Sequence, residues 1–150
     1  MKPVIGVATV SFAKQWAELR NKLWPSTSSE HLAVVGSYFA QDYPHIHIAF
    51  LALAGQEVQG FLELSLRSYA EGIEGSPVPY IEGWYVADDA RGQGCGRALM
   101  ERAAQWALSE GYRHLASDTE LDNRSGLDAH RALGFVEVSR QVALIKELKT

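Results

Sequence analysis

The segment Tyr80–Met100, YIEGWYVADDARGQGCGRALM, contains the residue types and spacings with the clearest chemical potential. Glu82 is a carboxylate inside an otherwise apolar run. Gly92, Gly94 and Gly96 stand at alternate positions directly before an amphipathic helical pattern. Such a turn can bind a phosphate, because successive backbone N–H groups point into one concavity and the helix dipole adds positive potential.

Two arginines, Arg91 and Arg97, flank this glycine turn and could add charge-assisted contacts to a phosphate. The turn lacks the Gly-Lys-Ser/Thr of a P-loop, and its G-x-G-x-G spacing differs from the G-x-G-x-x-G dinucleotide fingerprint. A plain glycine-rich connection between a strand and a helix is the alternative interpretation.

The bulk composition is that of an ordinary globular chain. Its 150 residues indicate one domain, residues 1–150, large enough to fold without a disulfide or metal. The net charge of −4 argues against a general nucleic-acid binder and allows a cationic partner. The single cysteine, Cys95, excludes an internal disulfide and fits a reducing compartment. With neither a signal-peptide pattern nor a bilayer-spanning run, we expect a soluble cytoplasmic protein.

The periodicity of apolar residues predicts the order βααβββαβαβ, a mixed α/β (α+β) fold with helices on a mostly antiparallel sheet. The first helix is expected to be capped by Ser11, and the second to follow Ser28 or Ser29. The second helix should bury Leu32, Val35 and Phe39. The third strand should present Val58, Leu62, Leu64 and Leu66 on one face. The predicted strands are Val4–Val10, His47–Ala54, Val58–Arg67, Tyr80–Ala87, His114–Thr119 and one or more strands within Val136–Leu148.

Two motifs carry a resemblance to a known family. VADDARGQGCGRALM resembles the acetyl-CoA pyrophosphate loop of the GCN5-related N-acetyltransferases, whose Arg/Gln-x-x-Gly-x-Gly/Ala pattern is met by Arg91, Gly94 and Gly96. HRALGF, His130–Phe135, resembles the short helix ending in Gly-Phe that marks the same family. LWP, EG and ASDT further resemble the aminoglycoside 6'-N-acetyltransferases, and the resemblance covers nearly all of the chain.

The resemblance implies a fourth strand that carries a β-bulge near Gly83 and splays away from the fifth strand. Acetyl-CoA would be the co-substrate, with its pantetheine arm in the resulting cleft. A bulge N–H could also polarise the acetyl carbonyl. The implied contacts to acetyl-CoA are Trp84, Tyr85, Val86, Arg91, Gly92, Gln93, Gly94, Cys95, Gly96, Arg97 and Asn123.

Glu82 is the expected general base, acting directly or through water on a protonated amine of an aminoglycoside. It would also attract the cationic substrate. A solvent-facing glutamate on a half-exposed strand is the alternative. The resemblance places His130 where many relatives carry a tyrosine that protonates the CoA thiolate. His130 is therefore a candidate acid, or only a contact near the sulfur.

Further substrate contacts are implied at Trp24, Tyr69 and Asp118. Each has a structural alternative: packing for the aromatic residues, and a turn or helix cap for Asp118. Asn123 could likewise be an N-cap instead of a cofactor contact. Ser139 stands where relatives carry a glutamate facing the substrate, so the substrate range could differ.

The resemblance also implies direct transfer in a ternary complex without a cysteine nucleophile or a metal, and a homodimer. The sequence leaves two other functions open. One is an acetyltransferase for another amine, such as a polyamine, a small metabolite or a protein lysine. The other is a non-catalytic acyl-CoA-binding module.

Overall fold

A single five-stranded sheet organises the computed structural model, which describes residues 2–150. The strand order is β1-β2-β3-β4-β5, and every neighbouring pair is antiparallel except β4 and β5, which are parallel. The predicted mixed, mostly antiparallel sheet with flanking helices is confirmed. The elements are β1 (Val4–Val7), α1 (Ala13–Leu23), α2 (Ser28–Phe39), β2 (Ile48–Ala54), β3 (Glu57–Arg67), β4 (Val78–Val86), α3 (Cys95–Ser109), β5 (Ala116–Ser117) and α4 (Arg124–Ala132).

The two faces of the sheet are covered by separate apolar clusters. One lies under α3, where Leu99 packs with Leu62 and Leu64 of β3. The other lies under α1 and α2, where Trp16 and Val35 are fully buried. This two-sided burial explains why β2 and β3 are nearly continuous apolar runs over much of their length.

The helix starts differ from the expected caps. A 3₁₀ turn at Val10–Phe12 precedes α1, so Ser11 does not cap it. Thr27 caps α2 by accepting a hydrogen bond from the Glu30 N–H at 3.1 Å. Leu32, expected in the core, is exposed, because the buried face of α2 instead contains His31 and Val35.

Irregularities in the strand register move two side chains from their expected faces. A shift between β2 and β3 leaves Gln59 without a partner in β2, so Val58 joins the cluster under α1 and not that of Leu62. A second shift, between β3 and β4, pairs Glu63 with Gly83 and Leu64 with Ile81. Glu82 is therefore the extra residue of a β-bulge.

The last strand of the sheet is short. β5 pairs with β4 only at Tyr80–Ala116 and Ile81–Ser117. From Glu82 to Val86, β4 pairs with β3 alone, and its other edge is open. The splay that the resemblance implied begins at the bulge.

The C-terminal segment 136–150 forms no strand, contrary to the prediction for Val136–Leu148. Its apolar side chains are exposed, including Leu144 at 90% and Ile145 at 99%. Apolar residues favour a strand, but a strand forms only when another strand offers free backbone groups for hydrogen bonding.

Candidate active site

Glu82 projects from the bulge of β4 into a set of polar side chains from β3. Ser65 Oγ donates to Glu82 Oε2 at 2.5 Å. Arg67 donates to both carboxylate oxygens, from Nε at 2.8 Å and from Nη2 at 2.7 Å. The bulge thus brings the carboxylate to the strand face that carries Ser65 and Arg67.

These contacts determine the ionisation of Glu82. Partial burial alone would raise the pKa of its carboxyl, but the hydrogen bonds from Arg67 and Ser65 and the charge of Arg67 hold it below its ordinary value. Glu82 is therefore a carboxylate at neutral pH. Its proton-accepting oxygens are already occupied by Arg67.

Asp118 follows β5 and accepts a hydrogen bond from the Tyr80 hydroxyl at 2.6 Å. Burial, together with this bond, raises the pKa of Tyr80, so the hydroxyl stays protonated and acts as a donor. Tyr69, 64% exposed, lies on the same side of the molecule and lines the same cavity as Asp118.

The predicted substrate residues are divided between two cavities. One, of about 430 Å³, is lined by Trp24 and Glu82. The other, of about 580 Å³, is lined by Tyr69 and Asp118, together with His130 and Ser139. Among the described residues, Arg67 is the one that lines both. The Arg67 guanidinium, bonded to Glu82, therefore stands where the cavity of Glu82 adjoins that of Asp118.

Trp24 follows α1 and its ring lies against the bulge. It is tilted on Phe61, with ring centroids 6.1 Å apart, and the Arg20 guanidinium carbon lies 4.9 Å from its centroid. A Cβ on Gly83 would clash with the ring and approach Phe61 Cε2 at 3.3 Å. Glycine at position 83 thus allows close contact between Trp24 and β4.

A buried polar cluster contacts Trp24. Arg20 forms an ion pair with Glu63, whose Oε2 also accepts from Trp16 Nε1 at 3.0 Å. His31 Nε2 donates to the Trp24 carbonyl at 2.8 Å, and its Nδ1 accepts from Arg20 Nε at 3.3 Å. This pattern fixes His31 as the neutral Nε2–H tautomer.

The glycine turn has the geometry expected of an anion site. Gly92 and Gly94 adopt φ of 79° and 87°, a region that side chains rarely occupy. Gly94 is the N-cap of α3, and no side chain caps the first N–H groups of this helix. A Cβ on Gly92 or Gly94 would meet nothing within 4 Å, so the turn borders open space. The turn fits a pyrophosphate.

The open edge of β4 leads from Glu82 to this turn. Trp84 Nε1 donates to the Gly96 carbonyl at 3.0 Å and ties the strand to α3. Arg91 Nε donates to the Val86 carbonyl at 3.0 Å, and its guanidinium carbon lies 5.4 Å from the Tyr85 ring centroid.

The other residues expected around the turn differ in their accessibility. Gln93 and Arg97 are exposed, and Gln93 Nε2 donates to the Asp89 carbonyl at 3.5 Å. Cys95 is buried, and its Sγ lies 3.6 Å from Gln59 Oε1. Burial raises the pKa of the Cys95 thiol, which makes it a poor nucleophile.

His130 lies on α4 beside the open edge, with its ring centroid 5.2 Å from that of Trp84. Its Nδ1 lies 2.7 Å from the Gly126 carbonyl, so Nδ1 carries a proton. Its Nε2 lies 2.8 Å from Ser117 Oγ. Asn123 caps α4 by accepting from the Gly126 N–H at 2.9 Å, as the capping alternative predicts.

The sequence of residues 13–135 matches the model of the acetyltransferase (GNAT) family. The chain belongs to this family. Among its relatives, an aminoglycoside N(6')-acetyltransferase type 1 of Serratia marcescens is 43% identical over 89% of this chain and 91% of its own. One of Klebsiella aerogenes is 36% identical over 92% of each chain.

Solved structures of named acetyltransferases have the same fold. AAC(6')-Iy in complex with the bisubstrate analogue CoA-S-monomethyl-acetylneamine superposes with a TM-score of 0.88 at 31% identity, over 99% of this chain and 100% of that one. AAC(6')-Ig from Acinetobacter haemolyticus gives 0.86 at 34% identity, over 97% and 99% of the two chains.

Sequence reasoning missed several polar residues of this acetyltransferase site. Glu63, Ser65 and Arg67 alternate along β3, and this period of two placed them together on the face that receives Glu82. Their alternation in the sequence could have indicated this shared face. No sequence pattern could have indicated the hydrogen bond between Tyr80 and Asp118, because the two residues are far apart in sequence.

Residues 2–150 show neither a metal-binding cluster nor a membrane-spanning helix. No three His, Cys, Asp or Glu side chains group in a way that could hold a metal ion. None of the helices has the length and apolar character needed to cross a bilayer.

Proposed function

We propose that this acetyltransferase moves the acetyl group of acetyl-CoA to the 6'-amine of aminoglycosides, which would confer resistance to them. One observation carries the proposal: the open edge of β4 begins at the Glu82 carboxylate and leads to the glycine turn of α3. The aminoglycoside N(6')-acetyltransferases among the relatives support this substrate.

The residues present fit acetyl-CoA. The N–H groups of residues 92–96 would hold the pyrophosphate, with Arg97 beside them, and the open backbone of Trp84–Val86 would hold the pantetheine arm. Acetyl-CoA supplies an activated thioester. The Arg91 bond to the Val86 carbonyl competes with one of these contacts, so Arg91 would shift when the co-substrate binds.

Glu82 is the proposed general base. A 6'-ammonium bonded to the carboxylate would give up a proton to it, directly or through water, before the free amine attacks the acetyl carbon. The low pKa of Glu82 makes it a strong anchor for the ammonium and a weak base in the free enzyme. Loss of the Arg67 contacts would raise that pKa and strengthen the base.

His130 is the candidate acid for the CoA thiolate. Its Nδ1 proton is held by the Gly126 carbonyl, so Nε2 is the atom that can deliver a proton. In the neutral ring Nε2 accepts from Ser117 Oγ. His130 would therefore act as an imidazolium, or else only position groups near the sulfur.

The decisive assay is acetyl-CoA-dependent thiol release with matched acceptors. One aminoglycoside carries a 6'-amine, its partner carries a 6'-hydroxyl, and spermidine is the third acceptor. Turnover with the 6'-amine alone supports the proposal. Turnover with spermidine and neither drug would move the function to another amine, and cofactor binding without any turnover would favour a non-catalytic module.

The exposed C-terminal segment 136–150 supports a homodimer. Its apolar side chains need burial and its backbone has no strand partner in the described chain, and a second copy could provide both. Light scattering should give a dimer mass for the wild type and a monomer mass for Ile145→Glu. A wild-type monomer would contradict the dimer.

A cytoplasmic location is supported by the proposed use of acetyl-CoA and by the free thiol of Cys95. Fractionation of the expressing bacterium would test it, and recovery of the enzyme outside the cytoplasm would contradict it.

A further inference from the structure

Arg67 occupies an unusual place among the charged groups of the site. Within residues 2–150 it is the side chain shared by the two cavities, and it forms a two-point ion pair with Glu82. Its guanidinium carbon also lies 3.6 Å from the centroid of the Tyr80 ring. That ring carries the hydroxyl bonded to Asp118.

Arg67 therefore takes the place that a substrate ammonium would need. A cation bound at Glu82 in the first cavity must compete with the guanidinium for both carboxylate oxygens. A larger polycation reaching from Glu82 to Asp118 must in addition cross the position of the Arg67 side chain.

The contacts that Arg67 makes with Glu82 can be replaced by those of a ligand. Its side chain is 43% exposed and that of Glu82 is 25% exposed, so solvent screens the pair and its net stabilisation is small, about 1 kcal/mol or less. By contrast, Arg20 on α1 and Glu63 on β3, which also line the first cavity, form a pair whose side chains are only 8% and 3% exposed. The fold thus provides one fixed and one displaceable guanidinium–carboxylate pair.

We propose that Arg67 is an internal competitor of the acceptor: a polycation displaces its guanidinium from Glu82 and thereby joins the two cavities into one cleft between Glu82 and Asp118. This inference deepens the proposed function and rests on it for the identity of the polycation. Arg67 is then a specificity-determining residue that favours acceptors with several ammonium groups, because these recover the lost ion pair at more than one carboxylate.

Binding of a non-reactive polycation tests the inference without turnover. Calorimetry would measure the Kd of the 6'-hydroxyl aminoglycoside for the wild type, Arg67→Met and Arg67→Lys. Removing the competitor should tighten binding roughly fivefold in Arg67→Met, the fold-change that corresponds to about 1 kcal/mol. Arg67→Lys, which keeps the charge but loses the two-point contact, should lie between.

A structural role for Arg67 would give the opposite pattern. If Arg67 only held Glu82 in place, Arg67→Met would bind more weakly and Arg67→Lys would restore affinity. An unchanged or weaker Kd in Arg67→Met overturns the inference. Arg113→Met, a change at an exposed arginine outside both cavities, is the matched control and should leave the Kd unchanged.

Two further measurements separate this inference from the proposed function. The gain from Arg67→Met should disappear in a Glu82→Gln background, because the competition is for that carboxylate. A crystal structure with the polycation should show Arg67 turned away from Glu82, and a retained two-point pair would overturn the inference. Failure of the wild type to acetylate the 6'-amine would instead refute the proposed function and leave these binding ratios interpretable.

Discussion

At the scale of single residues, environment determines what each candidate group can do. Glu82 and Glu63 are carboxylates on neighbouring strands that both line the first cavity, yet the Glu82 side chain is 25% exposed and that of Glu63 only 3%, against Arg20. Residue type alone does not distinguish them. The partners that the fold provides make Glu82 available to a ligand and remove Glu63 from solvent.

Glu82→Gln should lower kcat by about 10²-fold or more, because general-base catalysis contributes about that much. Steady-state kinetics with the 6'-amine acceptor would measure it. Glu101→Gln, at an exposed position on α3, is the control and should behave as the wild type. An active Glu82→Gln enzyme would contradict the role of Glu82 as base.

The pH dependence of Glu82 has a defined sign. Because the folded pKa is lowered, the carboxylate and its stabilising ion pair persist above the unfolded value and are lost as pH falls through the lower folded value. The kcat/KM profile, which reports the free enzyme, should therefore show no loss assigned to Glu82 until pH drops below the ordinary 4.5. A limb at higher pH that vanishes in Glu82→Gln would contradict this.

Cys95→Ala should retain most of the activity. The thiol is buried and its pKa is raised, so it is poorly suited to form an acyl-enzyme. Kinetics and intact-mass spectrometry after incubation with acetyl-CoA would check this. Loss of turnover together with an acetylated Cys95 in the wild type would show that transfer is not direct.

At the scale of elements, the bulge in β4 links the substrate side to the cofactor side. It turns Glu82 toward Ser65 and Arg67, and it coincides with the point where β5 stops pairing. Pairing of β5 beyond Ile81 would close the edge that we propose for the pantetheine arm. The short length of β5 is therefore a functional feature of the fold.

Gly83→Ala should displace Trp24 from the bulge, since the added Cβ overlaps its ring. We expect a loss of about 1–3 kcal/mol in unfolding free energy and a raised KM for the acceptor. Urea denaturation and kinetics would measure both. Gly36→Ala on α2, where a Cβ meets nothing, should stabilise by about 0.5–1 kcal/mol. Equal effects at the two glycines would contradict the close contact.

At the scale of the whole molecule, the buried ion pair joins α1 to the sheet. Arg20 belongs to α1 and Glu63 to β3, while Trp16 and His31 complete their hydrogen bonds. Burial raises the pKa of Glu63, and Arg20 opposes that rise. Such a cluster lowers the free energy of unfolding little while every member is paired, whereas the loss of one partner lowers it strongly.

Glu63→Gln should destabilise the protein by about 3–5 kcal/mol, because it leaves the Arg20 charge buried without its counterion. Denaturant unfolding would measure this. Glu18→Gln, at an exposed position on α1, the helix of Arg20, should change the free energy of unfolding by no more than about 0.5 kcal/mol. A loss below 1 kcal/mol in Glu63→Gln would show that the pair does not anchor α1.

Much of the fold followed from the sequence. Periodicity and turn residues predicted all nine strands and helices to within a few residues, as shown by β2, β3 and the helix that opens after Gly94, with β1 and β5 shorter than predicted. The family and the glycine turn were also recognisable, because the turn requires backbone conformations that glycine provides and such local requirements appear directly in the residue order. The absence of a strand in 136–150 was not predictable, since pairing needs a partner that local sequence does not specify.

The sequence by itself determined where a phosphate could bind and which carboxylate could meet an amine. Only the tertiary structure decided that Glu82 is the bulged residue, that Arg67 is hydrogen-bonded to the Glu82 carboxylate, and that Asp118 lines a second cavity. The physical reason is that backbone turns and periodicity are local properties. Register shifts and side-chain partners depend on segments far apart in the chain, which meet only when the sheet has formed.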